Sequence, residues 1–110
     1  MAERLPTTAP ARHELPVIDD LGLVAARHAD RLVAEARDRG LGRWTAFLEP
    51  LPDRLRDDAL PGLRAAAMRG RAAYGPKDSI RDVLPEALTE PFLDALDRLL
   101  REINRGAHRR

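Results

Sequence analysis

The stretch from Gly70 to Ser79 is the part of this sequence that comes nearest to a phosphate-binding loop, because two spaced glycines are followed by a lysine and a serine. A loop of that type follows a β-strand, holds phosphate with consecutive backbone N–H groups, and has its lysine directly after the second glycine. Here the preceding residues have helical spacing, Pro76 lacks an N–H group, and Lys77 is displaced. We therefore interpret the segment as a turn that ends a helix.

Ser79 and Lys77 are the only serine and the only lysine of the chain, and a serine and a lysine can act together as nucleophile and base. Two residues that lie two positions apart at the start of a helix rarely face one another, which argues against that chemistry. Asp82 follows Ser79 by three residues, in the pattern of a capping box. We predict that Ser79 caps a helix.

The histidines, His13, His28 and His108, are scattered, and none has a second histidine or a carboxylate at four-residue helical spacing. A zinc site needs several ligands to converge, and the chain has no cysteine to supply thiolates. We therefore expect no metal and no cofactor. His28 falls within the apolar stripe of a helix, which is typical of a core or boundary histidine, with a pH-sensitive contact as the alternative.

Two pairs of adjacent acids, Asp19 with Asp20 and Asp57 with Asp58, are the remaining candidates for acid and base chemistry. Neighbouring side chains on a helix point about 100° apart, so neither pair converges on one substrate atom. Helix capping and solvated faces account for both pairs. Because no nucleophile, base and orienting group can be assembled from the sequence, we expect that the protein is not an enzyme.

The segment from residue 59 to residue 77 carries a charge of +4 and no acid, whereas residues 78–94 carry −4 and the whole chain +1. Such a segment could bind nucleic acid or phosphate. We favour the alternative that the neighbouring acids neutralise it within the fold. The candidate anion or nucleic-acid contacts are Arg64, Arg69, Arg71 and Lys77.

Helical spacing from Pro61 onward divides this segment into two faces. Arg64, Met68 and Arg71 share one face, which we expect to be exposed. The opposite face, expected to be buried, consists of Leu63, Ala66, Ala67, Gly70 and Tyr74. Its small residues predict the close approach of another helix.

The scarce aromatic residues supply the candidate for protein recognition. Trp44 and Phe47 lie three positions apart in a short segment bounded by prolines, so both rings share one helix face. Core packing is the favoured use, because each ring buries a large area. If the tryptophan is exposed, it is the best interface anchor of the chain. The candidate protein interface is Trp44, Phe47, Leu48 and Leu51.

Glycines, prolines and capping residues divide the chain into helices that must position these groups. Gly40 supplies a left-handed stop for the first helix, with Leu41 folding back as its apolar partner. No segment alternates like a strand. The predicted helices cover about residues 19–39, 43–49, a brief stretch from 53, 61–74, a short piece from 79, and 89–105 after a Thr89 cap.

We therefore predict an all-α fold, a compact bundle of about five to six helices, of which two are long, one is intermediate and several are short and bounded by prolines. Residues 1–16 are predicted to form a flexible or loosely docked N-terminal arm, residues 17–106 the helical domain, and residues 107–110 a basic C-terminal tail.

In the last helix, Phe92, Leu96, Leu99 and Ile103 form a seam two heptads long. A coiled coil needs about three or four heptads, so we favour an intramolecular core, with a homodimer as the alternative.

The composition of the chain indicates the cellular compartment and the type of genome from which the protein comes. No apolar run reaches the roughly 20 residues needed to span a bilayer, and the first 16 residues do not read as a secretory signal. Together with the absence of cysteine, this favours a cytoplasmic protein without a membrane partner. The abundance of arginine and alanine is typical of a GC-rich bacterial genome.

The leading functional hypothesis is a small helical protein-interaction module, an adaptor or regulator, whose partner is another protein or a second copy of itself. The alternative is a nucleic-acid or phosphate-binding regulator that uses the basic helix 61–77. The sequence leaves open whether the bundle holds a small apolar ligand.

Overall fold

The computed structural model describes residues 10–108, and within that range it contains helices and no strand. The all-α prediction is confirmed, including two long helices, one intermediate helix and short connecting helices. Residues 1–9 of the predicted arm and residues 109–110 of the predicted tail lie outside the described residues. The helices are α1 Pro16–Asp38, α2 Gly42–Leu48, α3 Leu51–Asp57, α4 Leu60–Arg71 and α5 Glu86–His108, with 3-10 turns at Arg12–Glu14, Ala72–Tyr74 and Ile80–Asp82.

The end of α1 has the predicted Schellman geometry. Gly40 has a φ of 69°, a left-handed conformation that costs glycine little. Its N–H donates to the carbonyl of Arg37 at 3.1 Å, and the N–H of Leu41 donates to the carbonyl of Ala36 at 2.9 Å. These two bonds satisfy carbonyls that the helix leaves free, and they turn the chain toward α2.

Two predicted helix starts are wrong by about one turn. Helix α1 begins at Pro16, upstream of Asp19, because proline is well suited to a first helical position. Helix α5 begins at Glu86 and contains Pro91, so Thr89 is not its cap. Thr89 is fully buried, and its N–H donates to the carbonyl of Pro85 at 3.0 Å.

The core lies between α1, α3, α4 and α5: α1 packs against α5 and α3, and α4 packs against the same two helices. The predicted faces of α4 are confirmed: Arg64 and Met68 are exposed, whereas Ala66 and Ala67 are buried. Predicted close helix packing is also confirmed, at Gly70. A Cβ atom there would lie 3.0 Å from Leu96 Cδ1 and 3.2 Å from Phe92 Cζ on α5.

The predicted intramolecular role of the α5 seam is confirmed, because all four of its residues are buried within this one chain. They are Phe92, Leu96, Leu99 and Ile103. The same side chains cannot face a second copy while the fold is intact.

The turn between α4 and α5 is held by polar contacts. Ser79 forms the predicted capping box: its hydroxyl accepts from the N–H of Arg81 at 3.1 Å, and Asp82 Oδ2 accepts from the N–H of Ser79 at 3.2 Å. Arg81 binds Glu90 through two hydrogen bonds of 2.8 Å each, which lowers the pKa of that carboxyl. The buried Tyr74 hydroxyl donates to the carbonyl of Thr89 at 2.6 Å.

Arg12 connects the segment before α1 to the end of α3. Its Nη1 donates to the carbonyl of Asp58 at 2.8 Å and its Nη2 to that of Leu55 at 3.1 Å, while Nε donates to Asp19 Oδ1 at 2.9 Å. Only 11% of the Arg12 side chain is exposed. A cation at a helix C-terminus meets the negative end of the helix dipole. Gly22 makes room for it, since a Cβ there would lie 2.6 Å from Arg12 Nη2.

Candidate protein-interaction site

Helix α2 carries the two aromatic residues that the sequence placed on one face. Trp44 and Phe47 are both half-buried, and their ring centroids lie 5.7 Å apart at an interplanar angle of 73°. This edge-to-face arrangement is favourable for aromatic pairs. Each ring therefore packs against the core on one side and remains accessible on another.

The other two members of the predicted interface do not belong to this surface. Leu48 and Leu51 have no solvent exposure and lie in the core. Leu48 is adjacent to Phe47 along the chain, and adjacent residues on a helix point in different directions. The structure thus reduces the candidate interface of α2 to Trp44 and Phe47.

Two exposed arginines stack on these rings. The guanidinium carbon of Arg69 lies 4.7 Å from the ring centroid of Phe47, and that of Arg43 lies 5.5 Å from the ring centroid of Trp44. Both distances are within the range of cation–π attraction. A guanidinium group has five N–H donors in a plane, so stacking leaves donors at its edge for another ligand.

A small open cavity of about 160 Å³ lies beside the rings, lined by Arg43, Trp44, Phe47, Ala72 and Ala73. We call these five lining residues the aromatic cleft. The alanines follow directly after α4, and their small side chains leave the space that the cavity occupies. None of the lining residues is acidic, so the cleft combines an apolar interior with a positively charged edge.

The four predicted anion contacts do not form one site. Arg71 is paired with Asp97 on α5 through a 2.8 Å contact. Arg69 stacks on Phe47, and Lys77 is exposed in the turn after α4. Arg64 lines a different cavity. Of these four residues, only Arg69 contributes to the surface formed by the aromatic residues. Its contact with Phe47 joins α4 to α2, and the periodicity of α4 alone did not predict it.

That second cavity, about 350 Å³ in volume, lies between the start of α1, the start of α4 and the end of α5. Its lining is mainly apolar and includes Leu15, Ile18, Leu60 and Ile103. Arg64 and Asn104 supply its polar groups. Pro10, the first described residue, also belongs to its lining.

One acid of each pair considered for catalysis takes part in an ion pair. Asp19 accepts a hydrogen bond from Arg12, and Asp58 lies 3.3 Å from Nε of Arg54. Among the side chains of residues 10–106 there is no group of three or more histidine, aspartate or glutamate residues placed to hold a metal ion. The helices of residues 10–108 include none whose length and apolar character would let it cross a membrane.

The environment of His28 in α1 shifts its titration. Burial lowers its pKa from the usual 6.5, and the nearby charges of Arg31 and Arg27 lower it further, while Asp94 acts in the opposite direction. The neutral imidazole is therefore the form that the fold prefers.

This shift predicts that acidification destabilises the protein through His28. Below pH 6.5 the unfolded chain binds a proton at this site before the folded chain does, so the free energy of unfolding decreases as the pH falls toward the lowered pKa. Urea unfolding at about pH 7.5 and about pH 5.5 should show this loss. His28→Gln should show a smaller loss, and an equal loss in both proteins would contradict the assignment.

Comparison of the chain with protein-family models, with curated proteins and with solved structures gives no match.

Proposed function

We propose that this protein is a non-enzymatic helical interaction module, an adaptor or regulator, that docks a partner protein at the aromatic cleft. The observation that carries the proposal is the half-exposed pair of Trp44 and Phe47, flanked by the stacked guanidinium groups of Arg43 and Arg69. Tryptophan, tyrosine and arginine are the residues most enriched at the energetic centres of protein interfaces. A surface that combines tryptophan and arginine with a small cavity is suited to holding one anchor side chain of a partner.

A protein partner fits this surface better than a nucleic acid does. Proteins that bind single strands stack bases on exposed aromatic faces. Here Arg69 covers a face of Phe47 and Arg43 lies over Trp44, so those faces are already occupied. Arg71, moreover, is neutralised by Asp97 and does not extend the positive surface.

The same proposal includes the cellular compartment of the protein and the kind of partner that it binds. A chain without cysteine is suited to a reducing compartment, and we place the protein in the cytoplasm on that ground. We take the partner to be another protein, because the apolar seam of α5 is buried within the fold and offers no surface to a second copy.

The proposal is tested by selecting peptides from a displayed random library with the purified full-length protein as bait. The enriched peptide is then synthesised with a fluorescent label, and its affinity is measured by anisotropy. Trp44→Ala should weaken binding by about 30-fold or more, which corresponds to the roughly 2 kcal/mol that defines an interface hot spot. Trp44 is the only tryptophan, so its emission should also change when the unlabelled peptide binds.

Val17→Ala is the matched control, because Val17 is an exposed apolar residue of α1 that does not line the cleft. It should leave the affinity unchanged. Equal affinity of Trp44→Ala and the native protein would overturn the proposal. So would a labelled single-stranded oligonucleotide that bound through Trp44 while no peptide was enriched.

A further inference from the structure

We infer that the segment recognised by the aromatic cleft is acidic: one large apolar side chain fills the cavity, and carboxylates beside it bind Arg43 and Arg69. This inference rests on the proposed function, since it specifies the chemistry of the partner at the same surface. It is carried by three observations, which concern charge, size and the geometry of the two arginines.

The first observation is an unneutralised positive charge at the cleft. Two other arginines of the fold are already engaged, since Arg37 pairs with Glu49 and Arg71 with Asp97. Within the described part of the chain, neither Arg43 nor Arg69 is within ion-pair distance of a carboxylate, although both are exposed. A partner that brings carboxylates to them meets no charge of its own sign in the lining of the cleft.

The second observation is the size of the cavity. Sites for small molecules usually enclose about 300 to 1,000 Å³. The cleft holds about 160 Å³, which is small for such a ligand and suited to a single side chain of a partner. Its lining of Trp44, Phe47 and two alanines favours an aliphatic or aromatic anchor over a polar one.

The third observation is that stacking on the rings holds both guanidinium groups in defined positions. Arg69 and Arg43 each lie over an aromatic ring, which restricts their rotamers before any partner arrives. Binding then costs less side-chain entropy than it would with freely rotating arginines. With the planar N–H donors that remain, each guanidinium group can hold one carboxylate through two hydrogen bonds.

The two arginines lie on different helices, Arg43 on α2 and Arg69 on α4, with the rings of Trp44 and Phe47 between them. A peptide whose anchor enters the cleft therefore needs acids on both sides of that anchor to reach both guanidinium groups. We expect the enriched peptides to contain a Leu, Ile, Phe, Trp or Met with aspartate or glutamate within a few positions before and after it.

The test compares an enriched peptide with a synthetic copy in which every Asp and Glu is replaced by Asn and Gln. The native protein should bind the neutral copy at least about tenfold more weakly, and its affinity for the acidic peptide should fall as salt is added. The combined change Arg43→Gln with Arg69→Gln should abolish most of this difference between the two peptides. Circular dichroism of that variant should match the native spectrum.

The matched control removes two charges elsewhere, through Arg27→Gln with Arg31→Gln on the exposed face of α1. It should retain the preference for the acidic peptide. If Trp44→Ala abolishes binding but loss of Arg43 and Arg69 does not weaken it, the cleft binds peptides and the inference of an acidic partner is overturned. If neither change affects binding, the proposed function itself fails.

Discussion

Gly22→Ala is expected to lower the free energy of unfolding by about 2–3 kcal/mol, although alanine is the better helix former by about 1 kcal/mol. The new Cβ would lie 2.6 Å from Arg12 Nη2 and 2.9 Å from the carbonyl oxygen of Leu55. The guanidinium group must leave its place, and α1 must move away from the backbone of α3. The hydrogen bonds that Arg12 donates to the carbonyls at the end of α3 are then lost.

Guanidinium chloride unfolding, followed by circular dichroism, measures this effect. Gly106→Ala is the control, because a Cβ added at Gly106 in α5 would meet no neighbouring atom within 4 Å, and alanine there should be neutral or stabilising. In an Arg12→Ala background, Gly22→Ala should cost less than it does in the native protein, since one of its two clashes is gone. A Gly22→Ala protein as stable as the Gly106→Ala protein would contradict the Arg12 contact.

Phe92→Ala is expected to destabilise the protein by about 3–5 kcal/mol, the largest single effect that we predict. Phe92 has no solvent exposure, and its ring faces Gly70 where α5 crosses α4. Alanine there would lose the transfer free energy of the ring and leave a cavity between two helices that cannot fully collapse. Thermal and denaturant unfolding should both show the loss, with far-UV circular dichroism still helical under native conditions.

Met68→Ala provides the comparison for that loss, because Met68 lies on the exposed side of α4 and its truncation should change stability by less than about 1 kcal/mol. The contact between Phe92 and Gly70 provides a second test of the packing between α4 and α5. Gly70→Ala should be better tolerated in the Phe92→Ala protein than in the native one, because the missing ring makes room for the added Cβ. Equal costs in both backgrounds would show that the two helices do not meet at this pair.

The features of this fold that could be predicted from the sequence are those whose interacting residues lie close together along the chain. Gly40 and Leu41 form the helix stop that their order along the chain indicates, and Ser79 with Asp82 forms the capping box. The buried side of α4 follows from spacing alone. In each case the interacting groups are separated by no more than one or two helical turns.

Other features of the fold, which the sequence did not predict, depend on contacts between residues far apart along the chain. Arg12 lies in a segment whose composition indicates a loosely held arm, yet its guanidinium group binds the carbonyl of Asp58, 46 positions away. Nothing local to Arg12 indicates that contact. The side chain of Thr89 is of the type that caps helices, but α5 begins one turn earlier, at Glu86. The carbonyl of Thr89 accepts a hydrogen bond from the distant Tyr74 hydroxyl.

The candidate site could be predicted only in part, because some of its features depend on neighbouring residues and others on packing between helices. The three-residue spacing places Trp44 and Phe47 on one face of α2, whereas only the packing of α2 determines that Leu48 is buried and the two rings are half-exposed. The stacking of Arg69 on Phe47 joins α4 to α2 and has no local signal in the sequence. A charge count identified the basic segment but not which of its arginines reaches the aromatic residues.

The central claim is that the aromatic cleft is the docking surface, and nuclear magnetic resonance tests it most directly. Adding an enriched peptide to ¹⁵N-labelled protein should shift the backbone amides of Arg43, Phe47, Ala72 and Ala73 most strongly. The indole N–H signal of Trp44, the only one in the chain, should shift with them. Shifts concentrated around Leu15, Ile18 and Ile103, with the indole signal unmoved, would contradict the account.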